Sequence, residues 1–358
     1  MNILIVDDSV VYRTAISEAL AGVPEVTVFK TACNGKIAVD IIKQNPGVID
    51  LVTLDMEMPE MDGIATIKAI RQFDKSLPII VFSGITEAGA EKTLEALNLG
   101  ANDFVKKIVG RGTLEDSLEM IREELLPKIR AFEKKKIKVP SKKFAEAPTI
   151  SSSLLDLPNL IKDMVVKPKL ICLGCSTGGP GALTSIFSAL SEELTVPMLI
   201  VQHMPPMFTE KLAIMLDKLS PNKVIEAKEG DVLKAGTCYV APGDFHMELI
   251  KDADDVYKIK LNKNEKVCYV RPSVDVLFSS VAKNYNKKVL AIVLTGMGED
   301  GAVGAVELNN KEDYIIIQNK ETSVVWGMPM AVRKRISDVK ALSIEEFAPL
   351  LNRLSKRI

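Results

Sequence analysis

The stretch that most constrains the fold is Leu170-Ile-Cys-Leu-Gly-Cys-Ser-Thr-Gly-Gly-Pro180. Residues 170–173 have buried-strand character. A glycine-rich turn follows, and then Leu183, Ile186 and Leu190 at helical spacing. A strand that turns straight into a helix belongs to a layered α/β architecture. Gly174-Cys175-Ser176-Thr177-Gly178 also fits the Gly-x-Ser-x-Gly pattern, in which a serine is raised on a sharp strand-to-helix turn. Small neighbours let the turn close and a substrate approach the hydroxyl. The free N–H groups of the helix start can meet developing negative charge. The same turn would equally suit phosphate binding or plain packing, so the rest of the chain must decide.

At 358 residues the chain has room for two domains, each with its own core. Its 46 basic side chains nearly cancel its 47 acidic ones, which favours neither nucleic acid nor an anionic membrane as a bulk partner. No apolar run is long enough to span a bilayer, and the chain enters a strand directly after Met1-Asn2, unlike a signal peptide. Five cysteines, an odd number, fit a reducing cytoplasm rather than a disulfide framework. Cys172 and Cys175 form a Cys-x-x-Cys, but Cys172 falls inside the apolar strand, so packing explains the pair better than redox chemistry.

Residues 1–126 alternate strand-like and helix-like segments five times, with strands read at 3–6, 26–29, 51–54, 79–82 and 104–105. That is the pattern of an open parallel sheet, whose functional groups gather beyond the carboxyl ends of its strands. Asp7 and Asp8 end the first strand, Asp55 the third, Ser83 the fourth, and Lys106-Lys107 the fifth. Three carboxylates on one edge repel one another unless a cation sits among them, and all-oxygen ligation suits Mg²⁺.

These motifs (Ile5-Val6-Asp7-Asp8-Ser9, Leu54-Asp55-Met56-Glu57-Met58-Pro59, Gly100-Ala101-x-Asp103-Phe104-Val105) resemble the flavodoxin-like receiver domain of two-component response regulators. The resemblance implies that Asp55 accepts a phosphoryl group from a histidine kinase. It further implies that Asp8, the Asp55 carboxylate and the Glu57 carbonyl hold Mg²⁺ with support from Asp7. Ser83 and Phe104 match the switch positions and Lys107 the phosphate-contacting lysine. Where the family usually has Lys-Pro, Lys107 is followed by Ile108, and Lys106 competes for the same role.

A last helix with Leu114, Leu118, Ile121 and Leu125 on one face is expected to end at Pro127. Residues 127–168 then read as a linker: a Lys-rich run, three serines, scattered prolines and one short helix near 154–165. Alternation resumes over residues 169–358, a doubly wound, mostly parallel α/β domain. Strands are read at 198–201, 290–294 and 314–317, helices at 209–219 and 301–308, and an antiparallel excursion over 224–270.

A serine hydroxyl needs an adjacent base to act as a nucleophile at neutral pH. Imidazole, with an unperturbed pKa of about 6.5, is the natural choice. Only His203 and His246 exist. His203 stands just beyond a strand, on the same sheet edge as Ser176, whereas His246 lies in the antiparallel excursion and is the weaker candidate. The carboxylate that orients the base is sought in Thr295-Gly-Met-Gly-Glu-Asp-Gly301, where Asp300 opens a helix and Glu299 is its rival. The glycines at 296 and 298 would let the Met297 N–H turn inward as an oxyanion donor.

Together, Cys175-Ser176-Thr177-Gly178-Gly179, Gln202-His203-Met204-Pro205, Ala241-Pro242-Gly243-x-x-His246-Met247, Arg271-Pro272-Ser273-Val274-Asp275 and Thr295-Gly296-Met297-Gly298-x-Asp300-Gly301 resemble the catalytic domain of chemotaxis protein-glutamate methylesterases. The family implies a cytoplasmic enzyme that hydrolyses glutamate methyl esters on chemoreceptors, often with glutamine deamidation, and no cofactor at the esterase site. Ser176 becomes the nucleophile, His203 the base and then acid, and Asp300 its orienter; Thr177 and Met297 fall near the oxyanion. An unmodified receiver that covers the Ser176 crevice and loosens on phosphorylation is also implied.

Two other readings compete. Gly174, Gly178 and Gly179 loosely echo a dinucleotide turn, but Gln202-His203 stands where the ribose-binding acid is expected. A receiver could also control a DNA-binding output, yet no basic recognition helix is evident.

Overall fold

The computed structural model describes residues 1–84, 86–107, 114–133 and 164–356. The chain divides into two compact units, Met1–Lys136 and Ile137–Ile358.

In the first unit the order is β1 (Asn2–Val6), α1 (Val10–Leu20), β2 (Thr27–Ala32), α2 (Gly35–Gln44), β3 (Leu51–Asp55), α3 (Gly63–Phe73), β4 (Ile79–Gly84), α4 (Glu87–Asn98), β5 (Asp103–Lys107) and α5 (Leu114–Ala131). The five strands pair in parallel as β2-β1-β3-β4-β5. Ser9, Asn34, Asp62 and Thr86 cap the helices that follow them, each accepting from a backbone N–H three residues on. Strands β1 and β3 are mostly apolar and, past Asn2, wholly buried, as central strands covered on both faces must be.

The last helix does not end at Pro127: it runs through that residue to Ala131. Pro127 has no N–H for the carbonyl one turn back and so gives up one ladder bond. Leu125 and Ile129, both fully buried, nevertheless hold the turns on either side of it against the core. Beyond residue 133 the expected linker features, the basic run and the short helix up to residue 163, lie outside the described residues.

The second unit comprises β6 (Leu170–Cys175), α6 (Gly179–Ser188), β7 (Met198–Gln202), α7 (Phe208–Asp217), β8 (Lys223–Glu226), β9 (Thr237–Val240), β10 (His246–Lys251), β11 (Tyr257–Asn262), α8 (Val274–Asn284), β12 (Val289–Val293), α9 (Ala302–Asn310), β13 (Tyr314–Gln318), α10 (Gly327–Arg335), β14 (Lys340–Leu342) and α11 (Ile344–Ser355). Seven strands form one parallel sheet in the order β14-β13-β12-β6-β7-β9-β8. The antiparallel excursion is narrower than the sequence suggests. Among the described strands β10 and β11 pair antiparallel, whereas β8 and β9 join the main sheet in parallel.

From β6 the chain builds outward to β7, β9 and β8 on one side and later to β12, β13 and β14 on the other, so the topological switch lies between β6 and β12. Ligands of such sheets bind in the crevice at that point, beyond the carboxyl ends of the strands.

Candidate active site

Ser176 is the first residue past β6, and its N–H donates to Thr295 O, just past β12, at 3.0 Å. Its carbonyl accepts from the Gly179 N–H at 2.7 Å, closing a four-residue turn. Ser176 is not among the residues with positive φ. Gly178, at φ 78° and ψ −6°, carries the left-handed backbone, as the third position of a type II turn requires. The sharp turn is therefore made at Gly178 and not at the serine itself. Gly296 lies so close that a Cβ there would stand 2.9 Å from the Ser176 Cβ and 2.2 Å from the Met328 Sδ. That approach seats the serine directly against the end of β12.

His203 follows β7, the neighbour of β6 on the other side. Cys175 pairs with Gln202 in register, and the His203 N–H donates to Cys175 O at 3.1 Å. Ser176 and His203 thus leave adjacent strands at the same level. The ring's Nε2 meets Asp300 Oδ2 at 2.7 Å, with His203 nearly buried and Asp300 buried. Nε2 then carries the hydrogen toward the carboxylate, and Nδ1 is the ring nitrogen left to exchange a proton.

Asp300 does not cap the helix that follows it; Gly301 holds that position. It instead receives the first turn of α8. Oδ1 accepts from the Ser273 hydroxyl (2.8 Å), the Asp275 N–H (3.0 Å) and the Gly301 N–H (3.0 Å), and Oδ2 accepts from the Val274 N–H (2.6 Å) as well as from His203. Burial works to raise the pKa of this carboxyl. The hydrogen bond and charge of His203, with the N–H groups of Asp275 and Val274, outweigh it and hold the group below the usual carboxylate range. Asp275 lies beside it, buried and hydrogen-bonded to the Gly304 N–H at 2.8 Å. Burial and the charge of Asp300 push Asp275 up to about 6 against the pull of that N–H.

The rival residues are placed elsewhere. Glu299 is exposed and pairs with Arg335 at 2.9 Å. His246 is buried at the start of β10 with Nε2 on Glu265 O at 2.9 Å. Thr177 is buried, and its carbonyl accepts from the Thr295 hydroxyl at 2.9 Å. Met297, exposed, follows Gly296, whose N–H is committed to Val325 O. Cys172 and Cys175 are buried thiols that burial pushes far above the usual thiol range, which fits packing and not redox work. Sequence reasoning missed Ser273 as a partner of Asp300. A serine before Val274, Leu277, Phe278 and Val281 at helical spacing was the available signal.

In the first unit, ligand oxygens of Asp7, Asp8 and Asp55 lie within 4.8 Å of one another at the ends of β1 and β3. Lys107, not Lys106, reaches them: its Nζ stands 2.8 Å from both Asp7 Oδ2 and Asp55 Oδ2. Burial raises the Asp55 pKa, the Lys107 hydrogen bond opposes this, and the Asp7 charge adds to it. One ammonium among three carboxylates leaves an excess of negative charge, the donor set that a hard divalent cation satisfies. Ser83 is buried, with its hydroxyl donating to Gly89 O at 3.1 Å, and Phe104 is buried beneath the Lys128 ammonium. The Glu57 side chain turns outward to Lys92 at 2.9 Å. The Ile108 position lies outside the described residues.

A family model described as CheB methylesterase matches residues 171–351, and one described as Response regulator receiver domain matches residues 3–119. A protein-glutamate methylesterase/protein-glutamine glutaminase of Trichodesmium erythraeum (strain IMS101) is 42% identical over 329 residues, 92% of this chain and 91% of the relative. Its counterpart in Nocardioides sp. (strain ATCC BAA-499 / JS614) is 40% identical over 359 residues, 100% of this chain and 96% of the relative. The crystal structure of the Thermotoga maritima CheB methylesterase catalytic domain matches at a TM-score of 0.50 and 39% identity, covering 53% of this chain and 100% of that one.

Proposed function

The chain belongs to the CheB methylesterase family, and on that premise we propose that Ser176, His203 and Asp300 perform its ester hydrolysis as a triad. The chain is a receiver-linked carboxylic ester hydrolase, a protein-glutamate methylesterase. The reading of the triad is carried by one observation. The imidazole of His203 is gripped at Nε2 by a carboxylate that four further donors immobilise, while the strand beside it delivers Ser176 at the same level.

In this mechanism Nδ1 of His203 takes the Ser176 hydroxyl proton as Oγ bonds to the ester carbon. Asp300 stabilises the resulting imidazolium without itself being protonated. The N–H groups of Thr177 and Met297 meet the developing oxyanion, where each such donor is worth roughly 10²–10³ in rate. When the tetrahedral intermediate collapses, the carbon–methoxy bond breaks and methanol leaves with the proton from Nδ1. A water activated by the same nitrogen then releases the glutamate carboxylate and frees the serine. The same steps on a glutamine side chain release ammonia, the second activity in the relatives' name.

In the receiver, Asp55 accepts a phosphoryl group from a histidine kinase. Asp8, the Asp55 carboxylate and the Glu57 carbonyl, with support from Asp7, would hold Mg²⁺, which would supply charge neutralisation for the transfer. Lys107 contacts the incoming phosphoryl. Chemoreceptors are the substrates, and phosphorylation of Asp55 sets the esterase rate. Among the described residues no helix is long and apolar enough to cross a membrane.

The test is Ser176→Ala in the intact chain, assayed by methanol release from methylated receptors and by labelling with a fluorophosphonate. Activity is expected to fall by roughly 10³-fold or more and labelling to vanish. Substantial turnover in the folded variant would refute the serine mechanism.

A further inference from the structure

Beyond Cys175 the sheet no longer ties the nucleophile to its base. The Ser176 N–H turns to Thr295, on the β12 side, while His203 continues from β7. What spans the gap is the side chain of Gln202, which is buried. Its Nε2 donates to the Ser176 carbonyl at 3.0 Å and to the His203 carbonyl at 3.2 Å. Its Oε1 accepts from the Cys175 thiol at 3.0 Å. Burial keeps that thiol protonated, so it stays a donor. This fixes which way the carboxamide points: a flip would set Oε1 against two carbonyl oxygens. Gly179 makes room for it, since a Cβ there would fall 2.0 Å from Oε1.

We propose that Gln202 is a positioning residue for the hydrolysis: its carboxamide ties the main chains of Ser176 and His203 together and so sets the gap across which the proton passes. The inference rests on the triad reading above. It gives Cys175 a purpose as the donor that locks the carboxamide, and it accounts for Gly179 as the residue that admits it. Both hydrogens of Nε2 are used on the two main-chain groups whose separation matters most. A side chain that only filled space would need neither. Because a misplacement of about 1 Å can cost up to about 10² in rate, a loss of this tie should appear in turnover and not in binding.

The experiment uses the intact chain with methylated receptors as substrate, and kcat is expressed per serine titrated by a fluorophosphonate. Gln202→Met keeps the length without polar atoms, and Gln202→Glu keeps the shape without the donors. Both are expected to lower kcat per labelled serine by about 10- to 100-fold with KM held within about twofold. Wild-type kcat per labelled serine in both would overturn the proposal. So would a loss confined to the number of labelled sites, because that pattern means support of the fold alone. Should Gln202→Met fail to fold, Gln202→Glu decides, since it keeps the shape of the side chain and loses both donors. A fall of several-fold in kcat supports the tie, and an unchanged kcat refutes it. Ser176→Ala separates the two layers: inactive Ser176→Ala beside fully active Gln202 variants sinks only the tie, whereas active Ser176→Ala sinks the triad.

Discussion

Asp300→Asn is the sharpest probe of the site, because the carboxylate has no spare acceptor. Five donors converge on its two oxygens. If the new amide nitrogen replaces Oδ1, it faces the N–H groups of both Asp275 and Gly301. If it replaces Oδ2, it strands only the Val274 N–H, and His203 can adapt by moving its hydrogen to Nδ1. The second orientation is the cheaper one, at about 1–3 kcal/mol for one buried N–H without a partner. It also leaves Nδ1 protonated and unable to take the serine proton. The variant should therefore fold with slightly lower stability and yet lose roughly 10⁴-fold in kcat, the size seen when the same exchange forces the wrong tautomer in a serine protease. That loss corresponds to about 5.5 kcal/mol of transition-state stabilisation. Methanol release measures the rate, chemical denaturation the stability, and ¹⁵N NMR of the imidazole the tautomer. A folded variant within about tenfold of wild type, or one whose ring keeps its hydrogen on Nε2, would refute the reasoning.

Further expectations follow from neighbouring groups. Asp275, whose pKa is raised from 3.8 to about 6, makes folding costlier once ionised, so this cost is present above about pH 6 and fades as pH falls toward 4. Asp275→Asn should therefore be more stable than wild type at pH 7.5 by about 1–2 kcal/mol after allowance for solvent screening, with the advantage gone near pH 4; equal denaturation curves at pH 7.5 would contradict this. Gly296→Ala inserts a methyl 2.2 Å from the Met328 Sδ and 2.9 Å from the Ser176 Cβ, and should cost about 1–3 kcal/mol of stability along with a marked fall in kcat. In the receiver, mass spectrometry should find one added phosphoryl group after treatment with a small phosphodonor and Mg²⁺. None should be added in Asp55→Asn or after EDTA; phosphoryl transfer to Asp55→Asn would move the acceptor elsewhere.

Much of the site was legible because parallel sheets concentrate chemistry at one edge. Short apolar runs locate the strands, and whatever follows them must stand beyond their carboxyl ends. On that logic alone Ser176, His203 and the 295–301 loop share an edge, as do Asp7, Asp8 and Asp55. One residue of register in the loop was decided only in space, where Asp300 turns inward and Glu299 turns out to Arg335. The pairing of β8 and β9 was not legible, because Gly230 and Gly236 announce turns but not which strand the chain will join. The partners of Asp300 were hidden for a related reason: Ser273 reads as a helix cap, and nothing nearby in sequence says that a carboxylate from residue 300 will sit on the same helix end. Nor does the pattern reveal that a helix can run past Pro127 when Leu125 and Ile129 anchor it.

The sheet of the second unit is two half-sheets zipped along a single seam. Strands β6 to β9 lead to Ser176 and His203 and strands β12 to β14 flank Asp300; among the described strands the β6–β12 ladder, from Val289 opposite Leu170 to Val293 opposite Gly174, is the one pairing between the halves. On the triad reading, opening that ladder would draw Asp300 away from Ser176 and His203 while each half kept its own strand pairing. Catalytic competence is thus bound to the integrity of one strand pair and should vanish ahead of secondary structure when the domain is stressed.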